Sequence, residues 1–204
     1  ETSLLCSRNA TKEDFDWANR LGQTIKLVAL IDNEQDGFNA RVFPVLINKK
    51  HPLASIRGAL NAVVVEGKNI DQLVFSGPGA GANPTASAII GDVLSACHQI
   101  SSGQSNWYPL RKPTTAIKPF EQVTSSMFIR LSVSDKPGVL ASIAGTLGEN
   151  NVSIQSVIQE GRGDEAELVL VTHEAPEKDL KISIDKIASL DTVLSITSAL
   201  RVYT

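Results

Sequence analysis

Apolar and polar positions repeat at two different periods along this chain, and the switches between them lay out its elements. The pattern is sharpest from residue 124 onward. "SSMFIRLSV" predicts a strand, "DKPG" a turn, and "VLASIAGTLGENN" a helix with Leu140, Ile143, Ala144 and Leu147 on one face. "VSIQSVIQE" and "EAELVLVTHE" predict two strands joined by the tight connection "GRGD" at residues 161–164. "EKDLKISIDKIASLD" places Leu180, Ile184, Ile187 and Leu190 at helical spacing, and "VLSITSALRVY" is the last strand. The order β-α-β-β-α-β predicts a ferredoxin-like unit, with two helices covering one face of an antiparallel sheet. The other sheet face also carries apolar residues, so it is expected to meet a second copy or another domain.

The first hundred residues alternate less cleanly. Thr11, followed by Glu13, Asp14, Phe15, Trp17, Ala18 and Leu21, predicts an N-capped helix ending at Gly22. "TIKLVAL" (residues 24–30) and "FNARVFPVLI" (residues 38–47) predict a strand and its return around the turn "DNEQDG". A short helix is expected after His51-Pro52, then the strands "NAVVVEG" and "DQLVFSG", then a glycine loop. Pro84 and Thr85 open an Ala/Ile/Val-rich helix to about Ile100, with Thr85 as its cap. "SSGQSNWYPLRKPTTAIKPFEQV" (residues 101–123) has three prolines and no sustained period, and so predicts a linker. Trp107, Tyr108 and Phe120 suggest that it is pinned to a surface in places. The fold class is therefore α+β: a mixed sheet with helices, then the βαββαβ unit.

Composition narrows the function classes. Of 204 residues 42% are apolar and 20% charged, with a net charge of -3. That is an ordinary globular balance, and it favours neither nucleic acid nor a membrane surface as a partner. No apolar run reaches the roughly 20 residues of a membrane helix. No basic-then-apolar leader is present, so a cytoplasmic location is expected; the chain begins at Glu1 without an initiating Met, as a piece of something longer would. Cys6 and Cys97 are too few for a disulfide framework, and His51, His98 and His173 do not cluster at metal-ligand spacing, so no metal is expected. His51 and Trp17 read as structural residues, Asp92 as a structural polar contact, and Lys12, Lys49, Lys50 and Lys118 as surface lysines.

Two loops carry candidate chemistry. In "SGPGAGANPTAS", Gly77, Gly79 and Gly81 precede a helix, yet no lysine follows as in a Walker loop, and the last interval does not fit a dinucleotide fingerprint. In "SDKPGVLASIAGTLGENNVSIQSV", Asp135 can accept backbone N–H groups and Pro137 fixes φ. Gly138 lets a ligand approach the positive end of the following helix, which suits a carboxylate.

The second stretch resembles the ACT domain, a regulatory module of amino-acid metabolism, over about residues 125–204. The resemblance implies an amino-acid effector at the interface of two modules. Asp135, Pro137, Gly138, Val139 and Leu140 would line one side, and Asn151, Ile154 and Gln155 the other. "HPLASIRGALNAVVVEG" and "SGPGAGANPTASAIIGDV" followed by such a module resemble the second half of homoserine dehydrogenase, from about Thr11 onward.

That resemblance implies NAD(P)H-dependent reduction of aspartate semialdehyde to homoserine, with feedback by an amino acid such as threonine. It also implies a homo-oligomer, dimer or tetramer, with the strands of residues 24–76 contributing to its interface. Gly79 and Gly81 would pass beside the nicotinamide, where a Cβ would collide with it, and Thr85 would follow at the same cofactor edge. The implied divisions are residues 1–100 for the catalytic and dimerisation part, 101–124 for the linker, and 125–204 for the ACT domain. The family's cofactor fingerprint, lysine acid/base and substrate-holding acids have no counterpart here. No catalytic residue is therefore assigned, and the chain alone is expected to be inactive. A non-catalytic amino-acid-binding and dimerisation module is the alternative.

Overall fold

The structure is a computed structural model that describes residues 10–34, 37–103, 116–161 and 163–203. Cys6, Trp107 and Tyr108 lie outside the described residues.

A capping box starts α1 (Lys12–Arg20). The Thr11 N–H donates to Asp14 Oδ2 at 2.8 Å, and the Asp14 N–H donates back to Thr11 Oγ1 at 3.4 Å. β1 (Gln23–Glu34) and β2 (Gly37–Asn48) then form one long antiparallel hairpin. Both strands run further than the sequence pattern indicates, because pairing continues to Glu34–Gly37 and shortens the expected turn. A 3-10 turn at Pro52–Ser55 leads to β3 (Leu60–Gly67), β4 (Asp71–Pro78) and α2 (Ala82–Ser102). A second 3-10 turn at Phe120–Gln122 precedes β5 (Thr124–Ser134), α3 (Val139–Glu149), β6 (Ile154–Glu160) and β7 (Glu165–Thr172). The short β8 (Ala175–Pro176), α4 (Glu177–Ala188) and β9 (Val193–Val202) complete the chain.

These elements form two compact units, residues 1–49 with 115–204, and residues 50–114. The first holds a sheet of order β1-β2-β9-β5-β7-β6, with β8 paired to β5. Its last four strands and two helices make the expected βαββαβ unit. β2 joins that unit by a short parallel ladder, Val45 to Arg201 and Leu46 to Val202.

Period-two alternation on β5 decides which residues face which core. Met127, Ile129, Leu131 and Val133 point to one side, where they pack with Ile143 and Leu147 of α3 and Leu180, Ile184 and Ile187 of α4. Phe128 points to the other side, with Val169, Val171 and Leu200. That second face is not left for another molecule along this stretch. Trp17 and Ala18 of α1, with Ile25 and Leu46 of the hairpin, close it from within the chain. Burying an indole and several aliphatic side chains in this way stabilises by roughly 1.5–3 kcal/mol per large side chain.

The second unit is built differently. Among the described residues its sheet is the two-stranded β3-β4 hairpin, a size that is marginal by itself in water. Neither α2 nor the two strands bury a single residue among those described. Val63, Val65, Leu73, Val74 and Phe75 on the strands, and Ile89, Ile90, Val93 and Leu94 on the helix, are all exposed.

Candidate functional site

The glycine loop closes the β3-β4 hairpin onto α2. The Gly79 N–H donates to the Ala59 carbonyl at 2.9 Å, which fixes the start of the loop. A Cβ on Gly79 would coincide with the Asn61 carboxamide. Inside this chain, therefore, the Asn61 amide occupies the space beside Gly79. Asn61 is a flexible exposed side chain, so the same space opens when its amide swings away. Gly81 has φ +131, a region that L side chains rarely adopt, and it is the N-cap of α2.

Thr85 does not cap this helix. α2 begins at Ala82 with no side-chain cap, and Thr85 instead sits in the first turn, its N–H donating to the Gly81 carbonyl at 3.1 Å. The reason is conformational: the left-handed glycine turns the chain three residues before the proline that seemed to mark the start. The start of α2 therefore leaves backbone N–H groups without a side-chain cap beside the glycine backbone. Asp92 is exposed on α2. His51 is a local anchor, its Nδ1 accepting from the Leu53 N–H at 3.2 Å.

The second candidate loop lies at the start of α3. Asp135, Pro137, Gly138 and Leu140 are exposed, while Val139 is buried in the core. Gly138, at φ +93, is the N-cap and brings no side-chain cap. The Asp135 N–H donates to the Asp164 carbonyl at 3.1 Å, and Asp135 Oδ1 accepts from Gln159 Nε2 at 3.2 Å. Asn151, at φ 60, follows the other end of α3, and Ile154 and Gln155 begin β6 there. Val139 and Leu140 open the 11-residue α3 and Asn151 lies just past its end, so the two groups are roughly 16 Å apart along the axis. One copy of the chain does not bring them together.

Sequence reasoning did not single out the polar seam beneath α1. Arg130, on the same face of β5 as Phe128, is only 6% exposed and Asp14 is fully buried. Arg130 Nε donates to Asp14 Oδ1 at 3.0 Å, Nη1 to Glu167 Oε1 at 2.8 Å, and Nη2 to Thr11 Oγ1 at 3.0 Å. Trp17 Nε1 donates to Glu167 Oε2 at 2.9 Å, and Arg20 pairs with Glu160 while stacking on the Trp17 ring. Thr11 is the N-cap and Asp14, Trp17 and Arg20 follow at three-residue steps, so each lies beside the next along α1. The Arg20 guanidinium holds the Glu160 carboxyl below its ordinary range. The one available signal was a charge inside an otherwise apolar strand.

A second pair ties the helical layer to the hairpin. Arg201 of β9 grips Glu177, the first residue of α4, through Nε at 2.5 Å and Nη2 at 2.9 Å. The same guanidinium lies 4.4 Å from the Phe43 ring centroid and 5.1 Å from that of Phe120, which pins the linker at this point. Among the described residues no cluster of ligating side chains suits a metal, and no helix is long and apolar enough to cross a membrane.

Comparison with known proteins places this arrangement. The homoserine dehydrogenase family profile matches residues 4–94, and the ACT domain profile matches residues 127–192. The homoserine dehydrogenase of Synechocystis sp. is 36% identical over 96% of this chain and 48% of its own length. That of Mycobacterium tuberculosis is 37% identical over 94% of this chain and 46% of its own. The crystal structure of a homoserine dehydrogenase from Thiobacillus denitrificans superposes with a TM-score of 0.86 at 32% identity, covering 95% of this chain and 45% of that one. The chain thus spans about half the length of the curated relatives it matches. With the homoserine dehydrogenase and ACT profiles matched in succession and these relatives covering nearly all of its length, the chain belongs to the homoserine dehydrogenase family.

Proposed function

We propose that this chain is the regulatory and dimerisation half of an NAD(P)H-dependent homoserine dehydrogenase, which reduces L-aspartate 4-semialdehyde to L-homoserine for threonine and methionine biosynthesis in the cytoplasm. The observation that carries this reading is the bare second unit. A 21-residue helix and a hairpin apolar on both faces bury nothing among the described residues, a surface that suits burial against a partner. The half of its relatives that the chain does not span is the natural source of that partner. Residues 1–100 then belong to the catalytic and dimerisation part, with 101–124 as linker and 125–204 as the ACT domain, although β1 and β2 pair into the sheet of the latter.

NAD(P)H supplies the hydride when bound. Gly79, Gly81 and Thr85 lie at the edge where its nicotinamide would pass, leaving room beside the ring. Reduction also needs a proton donor near the nascent alkoxide. Lys12, Lys49 and Lys50 are exposed, Lys49 is held by Asn19, and Lys118 is half-buried, so no lysine is assigned this role. The catalytic acid must come from the other half.

The ACT domain takes an amino acid, threonine first among the candidates. Its ammonium and carboxylate would be held by Asp135, Pro137, Gly138, Val139 and Leu140 of one module and by Asn151, Ile154 and Gln155 of another. The separation of these groups within one chain supports a two-module site. The hairpin supports a homo-oligomer as well: Leu27 and Ile31 are each 75% exposed, and with Ala29, Ala40 and Val42 they form an uncharged apolar strip. Calorimetric titration with L-threonine tests the regulatory half of the proposal. Saturable heat is expected, and no heat and no thermal shift at millimolar threonine would leave the ACT domain purely structural.

The alternative, a non-catalytic amino-acid-binding and dimerisation module, draws its support from the first unit, whose βαββαβ strands pack an apolar core on each face.

A further inference from the structure

Glu160 and Glu167 are register partners, directly opposite each other at the end of the β6-β7 hairpin. Like charges in that position repel, and a hairpin carrying them is weakened unless something neutralises both. Here α1 does so. Arg20 pairs with Glu160, while Trp17 donates to Glu167 beside Arg130. The same hairpin end also holds the candidate effector loop. Gln159, next to Glu160 in the strand, donates to Asp135, and the carbonyl of Asp164, next to β7, accepts from the Asp135 N–H. One short hairpin is thus bonded on one face to the loop that opens α3 and on the other to a helix more than a hundred residues earlier. α1 falls within the segment matched to homoserine dehydrogenase, and the hairpin within the segment matched to the ACT domain.

We infer that the β6-β7 hairpin and α1 form the transmission element of this protein: an amino acid engaging the Asp135 loop is read out as a change in how firmly α1 is seated. The inference rests on the effector reading proposed above. A ligand group that takes over Asp135 releases Gln159 and alters the hairpin end. The positions of Glu160 and Glu167 then decide whether Arg20, Trp17 and Arg130 stay satisfied. Arg130 of β5 is the positioning residue, because its guanidinium bonds to both Asp14 of α1 and Glu167 of β7. α1 leads through Gly22 directly into β1, so a change in its seat reaches the strand that carries the exposed apolar strip. Both outcomes of the switch are limited to differential contacts a ligand can make, which is the condition for any such coupling.

The test is amide hydrogen exchange on the 204-residue chain, comparing residues 13–21 with residues 135–140. L-threonine is the probe ligand, and Arg20→Gln and Glu167→Gln are the exposed-end variants. Saturating threonine is expected to change exchange in both segments, at least about fivefold in α1. Either variant should keep the change at 135–140 and lose it in α1. A change at 135–140 with α1 unmoved in the wild-type chain overturns the transmission and leaves the effector reading intact. If threonine alters neither segment, the effector reading falls, and the ligand-free variant Asp135→Ala decides the transmission. Faster exchange in α1 of that variant upholds the link, and unchanged exchange overturns it.

Discussion

Arg130 shows how one side chain can define an interface. On a strand whose neighbours are Phe128, Ile129 and Leu131, a guanidinium is tolerated only because every direction it points in meets an acceptor: Asp14, Glu167 and Thr11. Removing it strands the fully buried Asp14 carboxylate. Arg130→Ala is expected to lower stability by about 3–5 kcal/mol in urea unfolding, the range for breaking a buried pair by deleting one partner. An Asp14→Ala/Arg130→Met double variant, which leaves neither charge buried alone, should recover much of that loss. A smaller pH effect attaches to Arg20 and Glu160, both at the surface. The folded-state carboxyl of Glu160 lies below 4.5, chiefly through its hydrogen bond from Arg20. The stabilisation is therefore present in full above about pH 4.5 and lost as pH falls through the lower folded value, with Glu167 opposite as the nearest like charge. The stability gap between the wild-type chain and Glu160→Gln should close in that window and stay constant from pH 5 to 8.

At the scale of elements, the periods written in the sequence located nearly every helix and strand, because each depends on residues within a few positions of one another. Thr11 with Asp14, and Leu180 with Ile184 and Ile187, are local signals. What covers the second face of the ACT sheet is not local: Asp14 and Arg130 are 116 residues apart, and nothing in either stretch names the other. The same limit hid Asn61 as the occupant of the space beside Gly79. The start of α2 is a misread local signal: Gly81, three residues before Pro84, places it earlier. Two variants probe these points. Trp17→Ala removes the largest side chain that α1 seats on the sheet, and about 3–5 kcal/mol of lost stability is expected, with new binding of a hydrophobic dye to the exposed face. Thr85→Ala should leave far-UV helical content unchanged or slightly raised, whereas a true cap residue would cost about 1 kcal/mol.

At the scale of the molecule, the chain combines a unit with two filled cores and a unit with none among its described residues. The first explains how an ACT module can be bonded to distant sequence through α1, β2 and the Arg201 pair. The second leaves α2 and the β3-β4 hairpin with an exposed apolar surface, and on the proposed reading the glycine loop there is half of a site that another part of the protein completes. The most direct measurement joins this chain to the portion of the Thiobacillus denitrificans protein that it does not cover, and follows NADPH oxidation with L-aspartate 4-semialdehyde. The fusion is expected to turn over substrate while the 204-residue chain alone does not. Turnover by the chain alone, or a folded fusion that binds NADPH yet leaves the semialdehyde unreduced, would contradict the account.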